Sequence, residues 1–239
     1  MILNERQKLI LDTIIDDYIE IGSPISSLQL LDRHDLGVCS ATIRNDMIFL
    51  TEEGFLRKSY SSSGRVPTSK GYRNFIQSLK EKKEKKNQNQ YFKGIDFEGM
   101  GDLYLFSNEL LNELSNLSSG LLFNYVLDKG ILWESGWENV ILQPEMENRK
   151  TRDEFLKLVD STKEKIKEFA KQRSENRIEV FVGKENPIIK SDEFSMITCK
   201  TNFPNTEKGC VFVLLGPKRM PYRENIDLFE DVLKFLQNI

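Results

Sequence analysis

Between Asn4 and Gly22 the apolar residues Ile10, Ile14 and Tyr18 recur every fourth position, which predicts one buried stripe of a helix. Asn4 with Gln7 three residues on has the pattern of a capping box, and Gly22-Ser23-Pro24 ends the run. Ser26 or Ser27 caps a short second helix through Leu28, Leu30 and Leu31 to His34, and 35–38 makes a tight turn. Ser40 is then expected to cap a third helix, from Ala41 to about Glu53, stopped by Gly54. On it Ile43, Met47 and Leu50 form the inward stripe, while Ala41, Arg44, Asn45 and Ile48 point away. A short strand pattern at 55–60, a Ser-rich turn at 61–64 and a returning Arg65-Val66-Pro67 predict a small hairpin. Thr68 or Ser69 opens a further helix with Tyr72, Phe75, Ile76 and Leu79 inward.

Residues 80–90 hold Lys, Glu, Asn and Gln with no apolar anchor and read as a linker. Behind it, 103–117 has a helical pattern and 120–127 a strand pattern. The stretch 133–142 is apolar but irregular, and 153–173 predicts a long amphipathic helix. Strand-like runs follow at 178–182, 195–199 and 210–215, and a last helix at 226–236. This order predicts an α+β protein: residues 1–80 as a reader domain in winged helix-turn-helix order, 81–102 as linker, and 103–239 as an α/β or α+β sensor-type domain.

Charge sharpens the picture locally. The 239 residues carry a net charge of only −3. Yet Arg57, Lys58, Arg65, Lys70, Arg73, Lys80, Lys82, Lys83, Lys85 and Lys86 face only Glu81 and Glu84 across 57–86. A basic patch in an acidic chain attracts phosphate backbones. The third helix has the small, hydrogen-bonding start that a groove-entering helix needs: Ser40, Ala41 and Thr42. Arg44 can reach guanine O6 and N7, and Asn45 adenine N6 and N7. Ser40, Thr42, Arg44 and Asn45 are therefore the candidate base readers. Arg65, placed at the hairpin, is the candidate phosphate or minor-groove contact, helped by Lys58 and Lys70.

Other chemistries find little support. Cys39, Cys199 and Cys210 form no CxxC pair and read as reduced, mostly buried thiols; with His34 the only histidine, no metal set is expected. His34 itself reads as a surface helix residue. There is no phosphate-binding glycine loop and no catalytic constellation, so neither an enzyme nor a cofactor is expected. No apolar run approaches the ~20 residues of a membrane span, and without an export signal the expected location is the cytoplasm.

The segments Ser40-Ala-Thr-Ile-Arg-Asn-Asp-Met47, Leu50-Thr-Glu-Glu-Gly-Phe-Leu56 and Ser63-Gly-Arg-Val-Pro-Thr-Ser-Lys-Gly-Tyr-Arg73 resemble the HrcA family of heat-inducible transcription repressors. Scattered likenesses continue in Gly136-Trp-Glu-Asn-Val-Ile-Leu-Gln-Pro-Glu145, Val182-Gly-Lys-Glu-Asn186 and Leu215-Gly-Pro-Lys-Arg-Met-Pro-Tyr222. The resemblance implies a GAF-like C-terminal domain and a homodimer on double-stranded DNA with an inverted-repeat (CIRCE) operator ahead of chaperone genes. It also implies a functional link to a GroEL-type chaperonin. Residues 121–128 run almost directly into 131–136, so the dimerising insert of longer family members is expected to be missing. A ligand-responsive regulator with a small molecule in the GAF-like domain is the alternative.

Overall fold

The computed structural model describes residues 3–59, 64–81, 92 and 102–238. The chain divides into two units, Met1–Glu84 and Lys85–Ile239. The expected turn residues 61–63 and most of the expected linker lie outside the described residues.

In the first unit, α1 (Glu5–Ile21) starts at Asn4, whose side chain accepts from Gln7 N at 2.9 Å while the Gln7 side chain accepts from Asn4 N at 3.1 Å. It ends at Gly22 in a left-handed conformation. A second such box, Ser26 with Gln29, opens α2 (Ser27–Arg33). Helix α3 (Ser40–Glu52) begins one residue earlier than expected: Cys39, not Ser40, is the N-cap, and it makes no side-chain cap bond. Strands β1 (Leu56–Lys58) and β2 (Arg65–Pro67) pair antiparallel, and α4 (Ser69–Glu81) follows. Thr68 caps α4 by accepting from Gly71 N. Ile10, Leu11, Ile14, Ile15, Leu30, Ile43, Met47, Leu50, Tyr72, Phe75 and Ile76 fill the core, which closes the three helices and α4 around shared apolar stripes.

His34 is not an ordinary surface helix residue. It is the C-cap of α2, and its Nε2 lies 2.9 Å from Asp17 Oδ1 on α1, beside Arg33 Nε at 3.2 Å from the same oxygen. Asp17 is buried, so a carboxylate there needs such partners.

The second unit is built on a five-stranded antiparallel sheet of order β4-β3-β7-β6-β5. The strands are β3 (Leu121–Val126), β4 (Ile131–Ser135), β5 (Arg177–Val182), β6 (Phe194–Thr201) and β7 (Cys210–Pro217). The helices are α5 (Leu103–Leu117), α6 (Trp137–Ile141), α7 (Arg149–Lys171) and α8 (Tyr222–Gln237). Phe155, Leu158, Val159, Ile166 and Phe169 of α7 pack on Leu121, Phe123, Phe194, Met196, Val213 and Leu215. Side chains alternate across a sheet, so the next residues along face the other way. Accordingly Ser195 meets Tyr222 Oη of α8 at 2.7 Å, and Ser135, opposite Leu122, meets Asn112 of α5 at 3.2 Å. Helices thus cover both faces. The irregular stretch 133–142 resolves into the end of β4, a left-handed Gly136 and α6. Strands β3 and β4 are joined by residues 127–130 alone.

Candidate nucleic-acid interface

Helix α3 splits cleanly by exposure. Ile43, Asp46, Met47 and Leu50 are buried; Ala41, Arg44, Asn45 and Ile48 are exposed. Three of the buried four are the expected stripe. Among the described residues, the Arg44 and Asn45 side chains have no hydrogen-bond or ion-pair partner, so their donors are available. Ser40 and Thr42 in the first turn are half-buried, and Thr42 Oγ1 lies 3.4 Å from Cys39 Sγ. That hydroxyl, with the Thr42 and Ala41 backbone N–H groups, lowers the pKa of the exposed Cys39 thiol. The helix therefore presents a slim first turn, then two long hydrogen-bonding side chains, on its outer face.

Asp46 is the residue that sequence reasoning missed. It sits on the inner stripe, three residues from Ile43 and four from Leu50, where an acid is out of place unless paired. Its partner is Arg6 of α1: Nε to Oδ2 at 2.8 Å and Nη2 to Oδ1 at 3.3 Å. The charged residue on an otherwise apolar stripe was the available signal.

The hairpin and the start of α4 place the three expected basic side chains in different surroundings. Lys58 is exposed on β1, beside exposed Arg57. Arg65 lies in the hairpin, where it opens β2 opposite Lys58, and is only 9% exposed. Its Nε donates to Thr51 Oγ1 at 3.0 Å, and Thr51 Oγ1 in turn donates to Met47 O at 2.7 Å. The Arg65 backbone also exchanges hydrogen bonds with Ile25, at 2.8 and 2.9 Å. An arginine so held has its Nε committed to Thr51. Lys70 is exposed, but its ammonium donates to Glu53 O at 2.6 Å and lies 4.2 Å from the centre of the Phe55 ring. It satisfies a carbonyl at the C-terminal end of α3, where a cation is electrostatically favoured. The structure thus keeps Arg44, Asn45 and Lys58 outward and turns Arg65 and Lys70 toward α3. Of the basic run, Lys82, Lys83, Lys85 and Lys86 lie outside the described residues.

Among the described residues no group of three His, Cys, Asp or Glu side chains is placed to hold a metal ion, and no helix is long and apolar enough to cross a membrane.

Known proteins are similar to this chain in fold and in sequence. A crystal structure described only as that of a hypothetical protein superposes with a TM-score of 0.81 at 19% identity, covering 99% of this chain and 98% of that one, which shows a common fold. The heat-inducible transcription repressor HrcA of Ligilactobacillus salivarius is 39% identical over 121 residues, 49% of this chain and 35% of the relative. That of Acetivibrio thermocellus is 46% identical over 84 residues, 35% of this chain and 24% of the relative. These two matches thus span about a third and a quarter of the relatives' lengths. The repressor of Clostridium botulinum aligns with the whole chain and 98% of its own length, at 24% identity over 341 positions. Set against 239 residues, that leaves about a hundred positions of the relative without a counterpart here. The family model for the HrcA protein C terminal domain matches residues 72–226, well over half of the chain. The chain belongs to the HrcA family.

Proposed function

We propose that this chain is a sequence-specific, DNA-binding transcriptional repressor of heat-inducible chaperone genes. The first unit acts as a winged helix-turn-helix, with α3 in the major groove. Ser40, Thr42, Arg44 and Asn45 read base edges, and Lys58 holds phosphate. The second unit acts as a GAF-like regulatory and dimerising domain, and a homodimer engages an inverted repeat of the CIRCE type. A GroEL-type chaperonin sets the active fraction, as the family resemblance implies.

The observation that carries this reading is the split of α3. The inner stripe is closed by the core and by Arg6. The outer face offers Arg44 and Asn45, the side chains suited to bidentate contacts with guanine and adenine, with no partner among the described residues. A groove-reading helix needs both halves, since an outer face that is already paired has no donors left for bases.

The test is a duplex pool of random sequence, enriched by the full chain, followed by titration of the enriched duplex against its scrambled counterpart. Arg44→Ala should weaken binding to the enriched duplex by about 1–3 kcal/mol, the cost of one bidentate base contact. Binding to the scrambled duplex should change little. Equal affinity of Arg44→Ala and the parent for the enriched duplex rejects the role of Arg44.

A further inference from the structure

Resting on the reading that α3 meets DNA, we infer that Arg6–Asp46 and Arg65–Thr51 form a two-point clamp that sets the rotation and tilt of α3. Arg6 and Arg65 then serve recognition as positioning residues, without touching DNA.

The first point is next to the readers. Asp46 follows Asn45 directly, so its side chain lies about 100° further round the helix axis. Its carboxylate side chain is 7% exposed and is gripped by two donors of one guanidinium, at 2.8 and 3.3 Å. A two-pronged grip fixes a plane as well as a distance. Arg6 sits on α1, the helix whose apolar stripe anchors the unit, so the grip refers α3 to the core.

The second point lies five residues further on, roughly 7.5 Å along the axis. Thr51 Oγ1 joins Arg65 Nε to the backbone carbonyl of Met47. Arg65 is fixed in turn by its main-chain bonds to Ile25, just ahead of α2. The buried stripe of Ile43, Met47 and Leu50 seats α3 on the core, and one polar point would add a reference at a single place only. Two at this separation define where Arg44 and Asn45 point. A base contact is lost over a fraction of an ångström, so a clamp of this kind acts on selectivity.

The charge-retaining variants Arg6→Lys and Arg65→Lys separate the roles. Lysine keeps any phosphate contact but cannot reproduce the fork on Asp46 or the Nε bond to Thr51. Each full-length variant is titrated with the enriched and scrambled duplexes across a range of salt, and its thermal midpoint is measured. The clamp predicts a roughly tenfold loss on the enriched duplex, unchanged affinity for the scrambled one, and an unchanged salt slope. Arg6→Gln should give the same pattern, although it removes a charge from a side chain that is half exposed. The clamp is overturned by lysine variants that bind like the parent. It is also overturned by a glutamine variant whose salt slope falls by about 0.9, the signature of a lost phosphate contact. A lower thermal midpoint with parental selectivity in the folded fraction overturns it too, since the bonds would then serve stability alone. Failure of the parent to enrich any sequence is a separate result, which removes the DNA-binding reading and the clamp together.

Discussion

Arg44 and Arg65 carry the same guanidinium and have opposite fates. Arg44 is exposed on the outer face of α3, whereas Arg65 is buried against Thr51. The helical period predicted the first, because 44 falls opposite the stripe of 43, 47 and 50. The second depends on where the hairpin turns and on a bond to a helix 14 residues away in sequence, and composition carries neither. The Lys70 contact was out of reach for the same reason: its partner is a backbone carbonyl, which has no sequence signature. The cysteines divide similarly. Cys199 and Cys210 are fully buried, and burial pushes both thiols well above their ordinary pKa; Cys39 is exposed and lowered by its Thr42 neighbour. Thiolate is the reactive form, so a lowered pKa leaves more of it at neutral pH. A thiol reagent such as a disulfide-based chromophore should therefore label one cysteine in the native chain, Cys39, and three after denaturation. Labelling of Cys199 or Cys210 at the rate of Cys39 would contradict the burial. Prior binding of the enriched duplex should slow the native reaction, because Cys39 is the N-cap of α3.

At the scale of elements, the strongly periodic helices were legible and the half-buried edge was not. Capping boxes at Asn4 and Ser26 fix where α1 and α2 begin, because both partners of each box lie within three residues. Strand β4 escaped because Ile131, Leu132 and Trp133 are all half-buried, so no alternation of apolar and polar marks it. The left-handed Gly136 then switches the chain into α6 at once, blurring two elements into one irregular apolar run. The same local closeness makes a test of how α4 meets β1. A Cβ at Gly71 would lie 2.4 Å from the Phe55 carbonyl oxygen, a backbone atom that cannot step aside. Gly71→Ala should force α4 from its seat and cost about 1–3 kcal/mol, as overpacking does. In a unit of this size that is a drop of roughly 4–8 °C in midpoint for each kcal/mol. An unchanged midpoint would show that α4 and β1 are not packed as described. Asn4→Ala tests the capping box, with a loss of about 1 kcal/mol from α1.

At the scale of the whole chain, the sequence made an α+β protein legible, since helical and strand-like runs alternate behind the first 80 residues. The antiparallel order β4-β3-β7-β6-β5 was beyond reach, because strand neighbours separated by a long helix leave no local mark. The short β3–β4 connection bears on assembly. About a hundred positions of the Clostridium botulinum repressor have no counterpart here, and only residues 127–130 join these two strands. If two copies of this chain read an inverted repeat, they must associate through surfaces other than such an insert, since two-fold DNA is matched by a two-fold protein. Light scattering of the complex should give two chains per enriched duplex, and the enriched sequence should contain two related half-sites. One chain on a single, non-repeated site would contradict the homodimer.

In the proposed function the outer face of α3 lies against base edges. A photoreactive side chain placed at Asn45 in the full chain tests it most directly. Irradiation in the presence of the enriched duplex should cross-link position 45 to bases, and unlabelled enriched duplex, not scrambled duplex, should compete the product away. Cross-links from position 45 to protein alone, under conditions where the duplex is bound, would contradict the account.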